Sequence, residues 1–497
     1  MKKITFAITC FVLCSAVCYS QSKNFTMGSW MEIQSSILKE LDRSYVDTLP
    51  LKKMQKAAID AMLSQLDPYT VYVPEEEMED FSLQIGKVYG GVGAIIYKPN
   101  GENVIINEPY AGSPCVKYGL ESGDEILEIN GEDVKPMDTK SCSDKMKGQP
   151  GSQVEFLVRK VYTGDTLKVK VRREKIHIPD IVYSGMLDAH TGYISQTGFT
   201  EGVADEFRQR VQEMKSQGMT KLIIDLRGNV GGLLTEAVGI VSIFVPKNSL
   251  VVTSRGRDGK ERDVYYTQKE PVDTKMELVV LANGGSASSS EIVCGALQDM
   301  DRATIMGTRT FGKGLVQSIF PMPYGGELKV TVAKYYTPSG RCVQAIDYSN
   351  RNPDGSVGHI PDSLTHEFKT QKGRVVRDGG GITPDVTIED PEYDDMVVSL
   401  VMSGIVGQYA LEYKRSHPSI EPLSDFHFDD MDGFKAFVKK WVKPEVYADV
   451  DNISEEQIIS FIEEEIVTRY YYQSEAAKFV LKYDTQLAEA LKTKVVL

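Results

Sequence analysis

Positive charge is in short supply in this 497-residue sequence: 56 lysines and arginines stand against 70 aspartates and glutamates, a net charge of -14. A nucleic-acid binder needs a basic face for phosphates, so no nucleic-acid partner is expected, and docking on an anionic membrane surface is disfavoured for the same reason. Long apolar runs are lacking too. The run at residues 4–18, ITFAITCFVLCSAVC, falls short of the roughly 20 residues that span a bilayer. Behind the basic start Met1-Lys2-Lys3 it reads as an export signal over residues 1–20, so the expected location is periplasmic or envelope-associated. Cysteine is sparse beyond that run. Cys115, Cys142, Cys294 and Cys342 are too few and too far apart for a disulfide framework. None lies in a CxxC pair or beside a histidine, so neither zinc nor any other metal or cofactor is expected. Pairing of Cys115 with Cys142 or of Cys294 with Cys342 after export, and buried free thiols, both remain open. There is no low-complexity tract and no repeat at a period of roughly 20–50 residues. What is present, 41% apolar and 25% charged residues, is the balance of a globular protein, and at roughly 100–200 residues per domain the length suggests about three domains.

The texture along the chain changes several times. Residues 28–66 alternate apolar and charged positions at helical spacing and stop at Asp67-Pro68, which places a helical region at 21–80. From 86 to 174 short β-like runs such as VGAIIY, DEILEING and QVEFLVRK are separated by glycine turns, the pattern of a mostly-β module. From 176 to 392 strand and helix alternate as in βαβ units: GYISQTGF, the charged stretch Glu201 to Lys215, KLIIDLRG, then TKMELVVLANG. Within that span residues 345–378, rich in Asn, Asp, Gly, Ser and Lys, read as a surface insertion. From 393 to 497 helical texture returns with heavy charge.

Residues Gly307 to Gly314 nearly form a phosphate-binding loop, but glycine stands at 314 where that loop needs Ser or Thr for magnesium. The lysine it presents, Lys313, is then of interest for its amine. Burial disfavours the charged form of a lysine, and a neutral amine is a usable general base near neutral pH. Its partner should be a nucleophile on a strand-to-helix turn. The segment Asn283 to Ile292 follows the apolar run LVVLA and holds Ser286, Ser288, Ser289 and Ser290, and a helix opening there would point free N–H groups at an oxyanion. Spacing does not choose among these serines. A helix cap at Ser290-Glu291 explains the same residues without chemistry.

These motifs resemble those of the carboxy-terminal-processing, or tail-specific, serine proteases, and the resemblance runs from about residue 30 to 390. The family's GSASxSEI corresponds to Gly285 to Ile292, and its FGKGxVQ to Phe311 to Gln317; LDPYT at 66–70 and GGGITPDV at 379–386 also match. The resemblance implies Ser288 as nucleophile, Lys313 as its base 25 residues later, and Gln317 orienting Lys313. Asp225 to Gly232 is similar to the family's DLRGNPGG loop, with Val230 in place of proline, and implies an oxyanion site from Ser289, Gly231 and Gly232. Residues 86–174 resemble a PDZ module in which Gly90, Gly91, Val92 and Gly93 form the carboxylate-binding loop, the apolar Val92 suggesting an apolar terminal side chain.

The implied fold is multidomain α+β: a crotonase-like or ClpP-like α/β protease core over 176–392, an inserted mostly-β PDZ domain, and helical N- and C-terminal regions. The implied function is an exported serine endopeptidase that binds C-terminal tails in the PDZ domain and cuts through a Ser-Lys dyad and an acyl-enzyme, without metal or cofactor. Its partners are then proteins or peptides with apolar C-termini, and the helical ends suit a homodimer. Two alternatives stand beside this. A Ser-His-Asp triad would need a histidine from afar, since none of the six lies in these motifs. A PDZ scaffold with a dead core would need a defect that Ser288, Lys313 and Gln317 do not reveal. Contact of Gln317 with Lys313 carries a geometric condition: neighbours on a helical turn, the two lie about 13 Å apart in a flat strand.

Overall fold

The computed structural model describes residues 2–98, 102–352, 354–441 and 450–493, with side chains from residue 23 onward except that of residue 362. The side chains of residues 1–22, which carry the export signal read from the sequence, lie outside the described residues. The chain divides into two units, 1–72 and 73–497. The first holds helices Lys2–Ser44 and Leu51–Leu63. The second helix ends at Leu63, and beyond it Asp67 Oδ1 accepts the N–H groups of Tyr69 and Thr70, both at 2.9 Å.

The centre of the second unit is a six-stranded sheet in the order Ile181–Met186, Thr191–Gln196, Lys221–Asp225, Glu277–Ala282, Thr304–Gly307, Val386–Thr387. The first pair is antiparallel and the others are parallel. Strands covered on both faces read as continuous apolar runs, and KLIID and ELVVLA do so here. Leu222, Ile224, Leu278 and Val280 face the helices Val203–Ser216, Leu234–Val241 and Ser289–Asp299. Ile223, Val279 and Leu281 point to the opposite face and pack against Leu487 and Ala490 of the helix Thr485–Lys492. Beside this sheet lies an antiparallel one, in which Leu315–Pro321 pairs with Glu327–Tyr336, that strand with Leu250–Arg255, and the last with Glu261–Tyr266.

The mostly-β module that resembles a PDZ domain is inserted ahead of the first core strand. Val88–Gly91 pairs antiparallel with Glu174–His177 and closes its neck. Between them a sheet runs in the order Ala94–Tyr97, Val104–Pro109, Glu125–Ile129, Gln153–Arg159, Thr166–Arg172, flanked by the helices Pro114–Lys117 and Thr139–Met146. Alternation in QVEFLVR turns Val154, Phe156 and Val158 inward, all fully buried with Val104, Ile106 and Ile126. Residues 346–377 form two hairpins, Ile346–Arg351 with Val357–His359 and Glu367–Lys369 with Val375–Arg377. The C-terminal region packs the helices Asp395–Met402, Ile405–Ser416, Met431–Trp441 and Glu455–Val480 around Tyr409, Phe428 and Phe434. The fold is thus α+β, with an inserted PDZ domain and helical ends. Cys115, Cys142, Cys294 and Cys342 are all free thiols, so of the two readings left open the unpaired one holds in this structure.

Candidate active site

The strand Glu277–Ala282 ends in a tight turn that delivers Ser288 to the start of the helix Ser289–Asp299. At Ser288 the backbone adopts φ 57° and ψ -113°, a conformation that strains any residue with a Cβ. Neighbours hold it there. Its N–H donates to Glu291 Oε2 at 2.9 Å, and its carbonyl accepts the Tyr335 hydroxyl at 3.1 Å. A serine forced into such an elbow between strand and helix presents its hydroxyl outward, the arrangement used by exposed nucleophiles.

The four serines differ in their partners. Ser286 Oγ donates to the Leu226 carbonyl at 2.8 Å, Ser289 Oγ to that of Gly232 at 2.9 Å, and Ser290 Oγ to that of Asn229 at 2.8 Å. All three are buried. They rivet the turn to the loop 226–232, and a hydroxyl spent on a buried carbonyl is a structural tie. Ser288 is half-buried and lines a cleft of about 400 Å³ together with Lys313, Gln317, Gly231 and Gly232. The cap expected at Ser290 belongs instead to Ser288, since Glu291 lies three residues on and returns its side chain to the Ser288 N–H.

Glu291 is the residue the sequence reading passed over as a cap. It is fully buried, and besides Ser288 it accepts Thr310 Oγ1 at 2.6 Å and the N–H groups of Gly312 and Lys313, each at 2.8 Å. Burial pushes its carboxyl above the usual range, and the hydrogen bonds from Thr310, Lys313, Ser288 and Gly312 oppose that rise. The spacing Ser-x-x-Glu from 288 to 291 is the local signal that marks it.

Lys313 sits in the loop before the strand Leu315–Pro321 and is half-buried, not sunk in the core as the sequence suggested. Its loop is pinned on both sides, by Phe311 N–H on the Ser286 carbonyl at 3.0 Å and by Gly314 N–H on Gln344 Oε1 at 2.8 Å. Gln317 lies on the strand and not on a helical turn. A bulge between Val316 and Gln317 bends that strand, and Gln317 Nε2 donates to Thr331 Oγ1 at 3.1 Å while the side chain borders the same cleft.

Gly231 approaches the turn so closely that a Cβ on it would stand 2.8 Å from Ser288 Cβ, and its φ of +99° also calls for glycine. Its N–H, expected at the oxyanion, is turned to Asn229 Oδ1 at 2.9 Å. Ser289 N–H, at the first helical position, has no acceptor within its own helix. Apolar side chains, Phe199, Leu234, Ile292, Leu315 and Ile319, line much of the rest of the cleft, and Lys87, Thr200 and Lys329 also border it. Among the described residues no group of three or more His, Cys, Asp or Glu is placed to hold a metal ion.

The expected carboxylate-binding residues divide between two environments. Gly90 and Gly91 belong to the neck strand, paired with Lys175 and Glu174, so that the turn itself is Val92-Gly93. Val92 is 3% exposed and packs into the PDZ core, so its side chain does not line an outer pocket. The inference from Val92 to an apolar terminal side chain therefore loses its basis.

The chain is similar to known proteins. The profile of peptidase family S41 matches residues 190–355, that of a PDZ domain 105–160, and that of the C-terminal helical domain of probable PDZ-proteases 440–493. A carboxy-terminal-processing protease of Bartonella bacilliformis is 33% identical over 355 residues, covering 69% of this chain and 80% of the relative. A probable CtpA-like serine protease of Staphylococcus aureus (strain COL) is 29% identical over 401 residues, 79% of this chain and 73% of the relative. Among solved structures, a photosystem II D1 C-terminal processing protease matches at 27% identity and a TM-score of 0.40, over 74% of this chain and 88% of that one.

Proposed function

The chain belongs to the carboxy-terminal-processing proteases of peptidase family S41, serine-type peptidases, and on that premise we propose that it is an exported endopeptidase that grips protein tails in its PDZ domain and cuts with Ser288 and Lys313. The observation that carries the assignment of the nucleophile is the commitment of Ser286, Ser289 and Ser290 to carbonyls of the loop 226–232, with Ser288 on the strained elbow facing the cleft beside Lys313.

Neutral Lys313 Nζ takes the proton from Ser288 Oγ as that oxygen attacks the scissile carbonyl. The tetrahedral oxyanion is met by the N–H groups of Ser289 and Gly232, while Gly231, its own N–H engaged by Asn229, shapes the approach. Lys313 then gives the proton to the leaving amine, and an acyl-enzyme remains. Water hydrolyses that ester with Lys313 again as base. Gln317, on the bulged strand that borders the cleft, orients Lys313. The apolar lining of the cleft favours apolar residues at the bond that is cut.

Tail binding follows from the PDZ sheet. Ala94–Tyr97 is its edge strand and packs beside the helix Thr139–Met146, so an extended tail adds to the edge with its carboxylate at the Val92-Gly93 turn. The basic start and the apolar run 4–18 support export.

Protein lacking residues 1–20 is incubated with a substrate protein ending in an apolar tail, beside Ser288→Ala and Lys313→Ala variants. Cleavage by the parent and none by either variant supports the dyad; undiminished cleavage by Lys313→Ala overturns it. Tail binding without cleavage by the parent under any condition favours an inactive PDZ scaffold.

A further inference from the structure

The strand Lys221–Asp225 has a cation at its start and another two residues beyond its end, and both reach the helix Thr485–Lys492 on the far face of the sheet. Lys221, 8% exposed, donates Nζ to the carbonyls of Ala490 at 2.7 Å, Leu491 at 3.2 Å and Thr493 at 2.8 Å. Those are last-turn carbonyls, which a helix leaves without partners of its own. At the other end Arg227 donates Nη1 to Gln486 Oε1 at 2.8 Å and to Asp484 Oδ1 at 3.1 Å, and Nη2 to Asp484 Oδ2. Asp484 is at the same time the helix cap, accepting the Leu487 N–H at 2.8 Å. Between the two ends Leu487 and Ala490 pack on Ile223, Val279 and Leu281.

Arg227 also grips Asp225, from Nε to Oδ1 at 3.0 Å and from Nη2 to Oδ2 at 2.5 Å, and Asp225 Oδ2 accepts the Tyr193 hydroxyl at 2.6 Å. One planar guanidinium therefore joins the end of the central strand to the cap of the C-terminal helix. On its other side Gln486, 2% exposed, donates to the carbonyls of Ile388 at 3.0 Å and Glu389 at 3.1 Å. Leu226 lies immediately before Arg227, and Asn229 and Gly232 two and five residues after it; their carbonyls receive the hydroxyls of Ser286, Ser290 and Ser289 respectively. The helix itself does not line the cleft.

We propose that the helix Thr485–Lys492 is a positioning element for catalysis: Asp484 and Gln486 fix Arg227, and Arg227 fixes the loop 226–232 that holds the Ser288 turn and the oxyanion donors. The inference rests on the reading of Ser288 as nucleophile. It makes Asp484 and Gln486 positioning residues some 200 positions from Ser288 in sequence. A helix that merely lent stability would leave the rate per folded molecule unchanged.

The test uses the chain from residue 21 onward and a tail-bearing substrate. In Asp484→Asn, asparagine still caps the helix, so what is lost is the charge facing Arg227. Gln486→Ala removes the second acceptor and leaves the cap untouched, and it is read in the same way if Asp484→Asn does not fold. Lys221→Met loosens the opposite end of the helix without touching Arg227. We expect kcat about tenfold lower with KM within about twofold for Asp484→Asn and Gln486→Ala, and kcat within about twofold of the parent for Lys221→Met even where its melting temperature falls as far. Parental kcat in both Arg227-facing variants overturns the inference alone, as does a fall in kcat that Lys221→Met shares at equal loss of melting temperature. A parent chain that cuts nothing overturns the reading of Ser288 and this inference with it.

Discussion

Glu291 Oε2 accepts the backbone N–H of Lys313 at 2.8 Å with the same oxygen that takes the N–H of Ser288 at 2.9 Å. The two groups proposed to exchange a proton are therefore referenced to one buried atom. Any drift of the lysine loop away from the elbow must first break a hydrogen bond to a carboxylate, and bonds of that kind are among the stronger ones in proteins.

Glu291→Gln tests this directly. A glutamine amide has one acceptor oxygen, so its NH₂ must face donors on one side, either Ser288 and Lys313 or Thr310 and Gly312. Leaving such groups unpaired in a fully buried site costs about 1–3 kcal/mol. The expected outcome is a variant less stable to thermal or chemical unfolding by about 2 kcal/mol, with kcat reduced at least about tenfold in the fraction that remains folded. Activity per folded molecule equal to the parent's would show that the shared oxygen does not set the geometry.

The strain at Ser288 makes a second, opposite prediction. Glycine tolerates φ 57° where alanine does not, so Ser288→Gly is expected to be inactive yet about 1 kcal/mol more stable than Ser288→Ala. Ser290→Ala should differ from both. It removes a buried hydroxyl from the Asn229 carbonyl, costs about 1–2 kcal/mol and retains cleavage. Denaturant unfolding of the three variants beside a cleavage assay separates the nucleophile from the rivets.

Asp273 is among the carboxyls that contribute to acid stability. Asp273 is held at about 2 because its bonds to Lys215 Nζ, at 2.6 Å, and to the N–H groups of Lys275 and Met276 outweigh the cost of its burial. A carboxyl depressed in the folded state stabilises the fold above its unfolded value near 3.8 and loses that contribution as pH falls toward 2. With Lys215 one-third exposed, solvent screening reduces the pair to about 1 kcal/mol. Asp273→Asn should thus be about 1 kcal/mol less stable than the parent at pH 7, and the gap should close between about pH 4 and pH 2. A gap that widens on acidification would contradict this assignment.

Much of the core was legible because its signals are local. KLIID and ELVVLA announce buried parallel strands, and the alternation in QVEFLVR announces a half-covered one. The resemblance supplied Ser288 and Lys313, which the cleft brings together. What local pattern cannot carry is the partner of a side chain. The carbonyls that occupy Ser286, Ser289 and Ser290 lie about 60 residues earlier, so no reading of the serine motif alone could exclude them. The link from Arg227 to Asp484 spans 257 residues and has no periodicity to betray it. Gln317 was uncertain for a different reason: a bulge is set by the pairing strand, here Glu327–Tyr336, and not by the bulged sequence itself.

The PDZ turn yields the last prediction, because its residues separate binding from folding. A Cβ added at Gly93 would stand 2.5 Å from Ser113 Cβ, and the φ of +75° there disfavours any side chain. Gly93→Ala should therefore distort the turn proposed to bind a terminal carboxylate, raising KM for a tail-bearing substrate by about tenfold and leaving kcat near the parent's, since the turn does not line the cleft at Ser288. Val92→Ala removes a side chain packed in the PDZ core, and the expected effect is a loss of about 1–3 kcal/mol in stability without a change in which terminal side chain is preferred. Amidation of the substrate's C-terminus removes the carboxylate itself and should raise KM for the parent as much as Gly93→Ala does, with no further effect in that variant. If amidation slows the parent and Gly93→Ala equally, the carboxylate is read elsewhere on the PDZ domain.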